Sequence, residues 1–319
     1  VSSKNKVHKA VNMELVRVFC PGTIANVSCG FDVLGLALEG VGDEMIISKS
    51  KEKGIRITEI TGQDLPMETE KNVAGVAGLA LLKSLNSEAG FEIIIHKKIK
   101  AGSGIGSSAA SSAGAVWGIN YLLGSPLSNL ALIPFAMEGE RLASGVAHAD
   151  NVAPALLGGF TLVRSYTPLD VVGLPSPSEL YATVIHPQIE IKTADSRSVL
   201  KAHLSLKDGV TQWGNLGGLI AGLFKEDYEL IGRSLEDVVV EPLRSVLIPG
   251  FADIKQAALD AGALGCGISG SGPSVFAFSK GIESATKVAN AIRAAYQPLN
   301  IAFDIHISKI NPQGVSLIP

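Results

Sequence analysis

An α+β fold in two halves is what this sequence predicts, and three observations predict it. Strand-like and helix-like stretches are mixed without the steady alternation of a doubly wound parallel sheet. With 319 residues the chain is long enough for two domains of ordinary size. Apolar residues make up 46% and charged residues 18%, a balance that fills a sizeable core and excludes a disordered chain.

The first dozen residues, Val1 to Asn12, are polar and basic and lack the apolar stretch of a signal peptide. Residues 1–13 therefore read as a leader remnant, a tag or a loose arm. The fold proper begins with the alternating strand Glu14 to Phe19, which should end at Cys20-Pro21-Gly22 and give way to a polar loop from Thr23 to Asp32. Val33–Leu38 and Asp43–Ser48 continue as strands of an antiparallel sheet, and Ile55–Ile60 alternates again and stops at Gly62. Asn72 to Leu85 has helical spacing, with Asn72 as its cap. Phe91–Ile95 is a strand, and Ser107–Leu123 and Ser128–Ser144 are helices. Phe160–Val163 and Tyr181–Ile185 are strand-like, and the proline-rich stretch Tyr166 to Ser178 between them leans toward loop. The domain boundary is placed there, giving halves of 14–165 and 166–319. Helices dominate the second half (Ser196–His203, Val210–Phe224, Tyr228–Leu235, Phe251–Ala261, Glu283–Tyr296), with Ser274–Phe278 and Ala302–Ile307 among its few strands.

Charge and cysteine usage narrow the function. A net charge of −3 and the absence of an arginine-rich run argue against nucleic acid as a partner. Cys20, Cys29 and Cys266 are odd in number and show no Cys-x-x-Cys spacing, so they read as buried free thiols in a reducing, cytoplasmic setting. No apolar run approaches the ~18 residues of a membrane span, so no membrane partner is expected.

The most informative stretch runs from Lys100 to Ala115, where Gly102, Gly104 and Gly106 alternate and Ser107 and Ser108 open a small-residue helix. Such a loop has almost no side chain to pack; it offers bare backbone that can reach φ > 0 and approach a ligand closely. The helix start adds a positive dipole end and free N–H groups, a seat for phosphate. A flexible turn before a buried helix is the plainer alternative. The loop lacks the Lys-Ser/Thr of a Walker A motif, and its third glycine does not have the spacing of a dinucleotide fingerprint. Neither protein-kinase signatures nor a Gly-x-Ser-x-Gly elbow occur in the chain.

Three ordered motifs together resemble the GHMP kinase superfamily: Gly102-Ser-Gly-Ile-Gly-Ser-Ser-Ala-Ala110, the N-terminal Thr23-Ile-Ala-Asn-Val-Ser-Cys-Gly-Phe-Asp-Val-Leu-Gly35, and Gly267-Ile-Ser-Gly-Ser-Gly-Pro-Ser-Val-Phe276. The resemblance implies a two-domain α+β fold, its N-terminal half like ribosomal protein S5 domain 2 and its C-terminal half ferredoxin-like. It further implies an ATP-dependent small-molecule kinase with magnesium. Lys100, Ala101, Gly102, Ser103, Gly104, Ile105, Gly106, Ser107, Ser108, Ala109 and Ala110 would then surround the nucleotide phosphates, with the third motif folding back beside them.

Within the superfamily the segments Asn26 to Asp32, His148-Ala-Asp-Asn-Val-Ala-Pro154, Thr193-Ala-Asp-Ser-Arg197 and Glu241 to Phe251 are most similar to the branch that phosphorylates L-homoserine in threonine biosynthesis. A zwitterionic amino acid needs an anion for its ammonium and a bidentate cation for its carboxylate. The resemblance assigns Asp32 with Asn26 to the first, Arg197 with Arg244 to the second, and His148 and Asn151 to the remainder. The resemblance makes Ser108 and Glu140 the magnesium ligands; counting back eight residues from His148, as that branch's pattern does, selects Glu140 over Glu138. Taken singly, Asn26 and Asp32 could merely shape a turn, the arginines could be solvated, and His148 could be structural.

Where the mevalonate branch would carry an aspartate base, this chain has Asn151. An amide accepts no proton as a base, so transfer without a dedicated base is expected, with Asp150 as the neighbouring challenger. A proline common two residues before Gly102 is replaced by Lys100, which either neutralises phosphate or faces solvent. A homodimer is implied by the same resemblance. A mevalonate-type kinase and a catalytically silent ligand sensor are the alternative readings.

Overall fold

The computed structural model describes residues 13–191 and 193–319; the arm expected at the N-terminus lies, Met13 apart, outside them. The first half is built on a mixed sheet. β1 (Leu15–Ala25) and β2 (Leu34–Ser50) pair antiparallel along most of their length. β3 (Gly54–Thr61) leads through helix α1 (Val73–Ser84) to β4 (Gly90–His96), which pairs antiparallel with β2 and parallel with β3. The β2 segments are antiparallel as expected, while α1 supplies the crossover that the parallel β3–β4 pair requires. Asn72 caps α1 as predicted, accepting from the Ala74 N–H at 3.0 Å.

β1 does not stop at Cys20. The register shifts between Pro21 and Thr23, and Thr23–Ala25 then pair with Gly35–Ala37. Proline and glycine here make a bulge that bends the strand without ending it. The bend brings Thr23 to the glycine loop, where its N–H donates to the Ile105 carbonyl at 3.1 Å. Helices α2 (Ser107–Leu122) and α3 (Asn129–Ser144) pack with α1 over the sheet. The short α4 (Val152–Leu157) then leads to β5 (Phe160–Tyr166).

Instead of the loop expected between Tyr166 and Ser178, a hairpin forms: β6 (Leu169–Leu174) pairs with β5, and β5 pairs with β2. Prolines at 168, 175 and 177 flank β6 without interrupting it, as an edge strand permits. Sheet membership changes between Leu174 and Leu180, so a division after residue 165 falls inside this hairpin. The last strand, β11 (Ser316–Leu317), returns to β1.

β7 (Leu180–Pro187) opens the second sheet. The chain then runs through α5 (Thr193–Ser198), α6 (Leu206–Lys225), α7 (Tyr228–Ser234), α8 (Glu241–Arg244) and α9 (Phe251–Asp260). β8 (Gly265–Ile268), β9 (Val275–Lys280), α10 (Ile282–Tyr296) and β10 (Phe303–Lys309) complete it. The order β10-β7-β9-β8 is antiparallel throughout, and α9 and α10 pack against it. Numbered locally, the strands lie 4-1-3-2, the split βαβ arrangement of a ferredoxin-like half. α5 ends at Ser198 and does not reach His203 as expected.

The two sheets share an apolar seam in which Phe276 and Phe278 of β9 lie fully buried in the first half's core, with Phe160 and Phe278 edge to face. The β8–β9 turn is thereby held against the glycine loop. Ser274 N–H donates to the Ser103 carbonyl at 3.2 Å, and the Ser269 hydroxyl donates to the Gly104 carbonyl at 2.7 Å.

Candidate active site

A cavity of about 660 Å³ opens where the loops of both halves meet. Its floor is the glycine loop between β4 and α2. Gly102, Gly104 and Gly106 have φ of 72°, 80° and 67°, the left-handed region that favours glycine. A Cβ at Gly104 would lie 2.6 Å from the Gly272 carbonyl oxygen, and one at Gly106 would collide with the Thr23 hydroxyl. The loop thus needs glycine both for its curvature and for the β8–β9 turn to press on it. Ser107 spends its hydroxyl on the Ile99 carbonyl at 2.8 Å, leaving the N-terminal backbone of α2 facing the cavity.

Beneath the loop lies an ion pair that the sequence reading missed. Lys97 and Asp43 are both buried and joined directly. The Lys97 ammonium also donates to the Ser107 carbonyl at 3.0 Å and the Ser111 hydroxyl at 3.1 Å. Asp43 accepts the N–H groups of Lys98 at 2.7 Å and Ile99 at 2.9 Å. Both charges are hydrogen-bonded on every side, as a buried pair must be. The pair ties the entry of the loop to its exit.

Ser108 and Glu140 meet at the same end. Glu140, on the inner face of α3, is buried, and its Oε1 has no hydrogen-bond partner. Burial pushes its carboxyl up to about 7, against the opposing pull of the Ser108 hydroxyl and the Lys97 charge. Glu138 faces outward and pairs with Arg141 at 3.1 Å, so the two glutamates are separated by location as well as spacing.

At the opposite end, charged side chains from both halves converge. Asp32 and Arg197 pair at 2.7 Å. Arg244 is buried, donates to the Ser196 carbonyl at 3.0 Å and the Gly270 carbonyl at 3.2 Å, and falls to about 10 through burial and then repulsion from Arg197. Both guanidinium groups lie over the Phe31 ring, 5.5 Å and 5.0 Å from its centre, a stacking role that sequence reading did not assign. Asn26 lines the cavity, but its amide is already committed: it donates to the Gly270 carbonyl at 2.7 Å and accepts the Asp32 N–H at 3.0 Å. It shapes the turn that carries Asp32.

Between the ends stand His148, Asp150 and Asn151. The Asn151 side-chain oxygen accepts from the Thr23 hydroxyl at 2.6 Å. His148 packs edge to face on Tyr166, its Nε2 lacks a partner, and burial lowers its pKa against the opposing pull of Asp32. Asp150 is buried with Oδ1 unpartnered, and burial, then repulsion from Asp32 and Glu140, pushes it up to about 7.

The expected phosphate-binding stretch divides. Ala101–Gly104 and Gly106–Ser108 line the cavity. Lys100, Ile105, Ala109 and Ala110 do not. Lys100 is exposed and bonded to the Gln188 side chain. Ile105, Ala109 and Ala110 are buried in the core beneath the loop and along α2.

The chain matches the sequence profile of the GHMP kinases N terminal domain over residues 71–159 and that of GHMP kinases C terminal over residues 219–298. The homoserine kinase of Chlorobium phaeobacteroides (strain BS1) is 48% identical, covering 96% of this chain and all of that one. The homoserine kinase of Chlorobaculum tepidum is 46% identical over 96% of this chain and 99% of its own. Among solved structures, homoserine kinase from Cytophaga hutchinsonii superposes with a TM-score of 0.94 at 54% identity, covering 98% and 100% of the two chains. The L. major mevalonate kinase complex with R-mevalonate reaches 0.68 at 15% identity over 97% of this chain and 99% of its own, a likeness of fold.

Proposed function

The chain belongs to the homoserine kinases of the GHMP kinase family, and from that membership we infer its reaction. It transfers the γ-phosphate of ATP to the side-chain hydroxyl of L-homoserine, giving O-phospho-L-homoserine on the route to threonine. The observation that carries the reading is the polarity of the cavity: a backbone-lined glycine loop at one end, an acid and two arginines at the other.

Asp32 is assigned to the substrate ammonium and Arg197 and Arg244 to its carboxylate. The Asp32–Arg197 pair, 2.7 Å apart, then stands in for a substrate whose own charges would take both partners. His148 and Asn151 complete the polar wall between the ends. The loop backbone and the start of α2 receive the phosphates. Magnesium fits beside them, since the partnerless, buried Glu140 Oε1 and the Ser108 hydroxyl are hard oxygen donors and phosphate and water supply the rest. When bound, the ion neutralises charge on the transferring phosphoryl group. Among the described residues no three His, Cys, Asp or Glu side chains cluster to cage a metal, and a site completed by phosphate requires no such cage.

The hydroxyl oxygen attacks phosphorus in line, the bond from γ-phosphorus to the bridging oxygen breaks, and the hydroxyl proton passes to a γ-phosphate oxygen. Asn151 cannot take that proton, and a loose transition state makes little demand for a base. Asp150 favours a second reading: it lines the cavity, has a free buried oxygen and sits near neutrality. Asp150→Asn separates the two. Base-free transfer predicts kcat within about tenfold of wild type; a base predicts a loss of about 10²-fold or more, together with disappearance of a wild-type limb that falls below pH ~7. The substrate itself is tested by turnover of homoserine, mevalonate and galactose side by side with ATP and magnesium. Homoserine alone should be phosphorylated; turnover of mevalonate, or of none with ligands still bound, contradicts the assignment.

A homodimer is proposed through α6. Leu206, Val210, Trp213 and Phe224 form one stripe along it, with Trp213 61% and Phe224 64% exposed, while Leu219 and Leu223 bury the opposite side. Sedimentation should find a dimer that Trp213→Glu converts to monomer; a monomeric wild type at tens of micromolar contradicts it. No described helix is long and apolar enough to cross a membrane, and a cytoplasmic location is proposed with it.

A further inference from the structure

Asp32 and Arg244 lie in different halves of the chain, yet the gap between them decides whether one α-carbon's ammonium and carboxylate can be held together. Asp32 ends a strained turn. Asn26, Val27 and Ser28 follow one another at φ of 69°, 43° and 61°, and Asp32 itself has 58°. The left-handed region is costly for a β-branched residue such as Val27, so the turn persists where its surroundings over-determine it. Asn26 provides two of those holds.

A third comes from α6, far along the chain. The Gln212 amide nitrogen donates to the Cys29 carbonyl inside the turn at 3.0 Å and to Asp237 Oδ1 at 3.0 Å. The Gln212 side-chain oxygen accepts the Val238 N–H at 3.1 Å. With two acceptors on one side and a donor on the other, one orientation of the amide satisfies all three contacts. Asp237 in turn is buried and accepts the N–H groups of Val239, Val240 and Glu241, each at 2.9 Å. They hold the chain just before α8 and its first residue, Glu241; the last residue of α8 is Arg244.

We propose that Gln212 is a positioning residue for amino-acid recognition: by tying the Asp32 turn to the entry of the helix that ends at Arg244, it sets the gap that an α-amino acid must bridge. The proposal rests on the reading of Asp32 and Arg244 as the partners of the substrate's charges. A residue that merely glues α6 to the fold would lower stability and affect both substrates alike. A positioning residue acts on one substrate.

The test is steady-state kinetics for homoserine and for ATP, with the thermal midpoint, in Gln212→Met, Gln212→Glu and Gln212→Asn. Methionine keeps the volume and removes all three polar contacts; glutamate keeps the acceptor for Val238 but removes both donors and faces Asp237 with a like charge. The homoserine KM should rise about tenfold in Gln212→Met and at least as much in Gln212→Glu, the scale of a lost hydrogen bond that leaves buried acceptors unpaired. The ATP KM and kcat should stay within about twofold. Should either variant fail to fold, the milder Gln212→Asn carries the same comparison. A homoserine KM unchanged in every folded variant, or an equal rise in both KM values, overturns the proposal. Arg244→Leu is measured alongside. If it leaves the homoserine KM unchanged, the substrate-site reading falls and this proposal with it; if it raises that KM while Gln212→Met does not, this proposal falls alone.

Discussion

The end of the cavity proposed for phosphate is made of backbone and the end proposed for the amino acid of side chains, and the two ends are stabilised differently. At the phosphate end three glycines and a helix start lie within one continuous segment, Gly102–Ser108, clasped beneath by Lys97 and Asp43. At the amino-acid end Asp32, Arg197 and Arg244 come from three distant segments, and their placement depends on a strained turn, a shared Phe31 face and the Gln212–Asp237 bridge. A phosphate presents spread negative charge that N–H groups meet from several directions. The two charges of an amino acid need fixed opposite partners, which longer side chains from different elements supply.

Variants can break that comparison at either end. The largest effect is expected at the phosphate end: if Ser108 and Glu140 hold the metal as proposed, Ser108→Ala and Glu140→Ala should each lower kcat by on the order of 10²-fold or more. The homoserine KM should move little in these variants. Smaller effects are expected at the other end, where Arg197→Leu and Arg244→Leu should raise the homoserine KM by on the order of tenfold to a hundredfold, the worth of a charge-assisted contact. Steady-state kinetics with each substrate varied in turn reads both; loss of kcat alone in the arginine variants would erase the distinction between the ends.

The same contrast governs what the sequence could disclose. The glycine loop was legible because its peculiarity is local: alternating glycines before a small-residue helix have few structural explanations. The fold was legible in outline for a similar reason, since α1, α2, α3 and α10 carry their periodicity within the segment. The continuation of β1 past Pro21 is hidden in the sequence because a bulge and a strand end share the same residues, and β6 is hidden because its flanking prolines read as loop. Asp32, Arg197 and Arg244 became site candidates through resemblance, since nothing in an isolated arginine says which distant turn it will face.

Lys97 and Asp43 illustrate a signal that was present. Phe91, Ile93 and Ile95 are the buried positions of β4, and the same alternation puts Lys97 inward; Met45 and Ile47 do likewise for Asp43 in β2. With Glu44 opposite His96 in the antiparallel register, the next step sets Asp43 opposite Lys97. A lysine and an aspartate on inward positions of neighbouring strands have to find each other. Gln212 carries no comparable signal, because its value depends on a backbone carbonyl in the other half of the molecule.

Calorimetry on two variants tests the division of the cavity most directly. A non-hydrolysable ATP analogue with magnesium, and homoserine, are titrated separately into Ser108→Ala and Arg197→Leu. The account predicts that Arg197→Leu weakens homoserine by about tenfold or more while nucleotide affinity stays within about twofold, and that Ser108→Ala leaves homoserine affinity intact. A comparable loss of both ligands in both variants would contradict it.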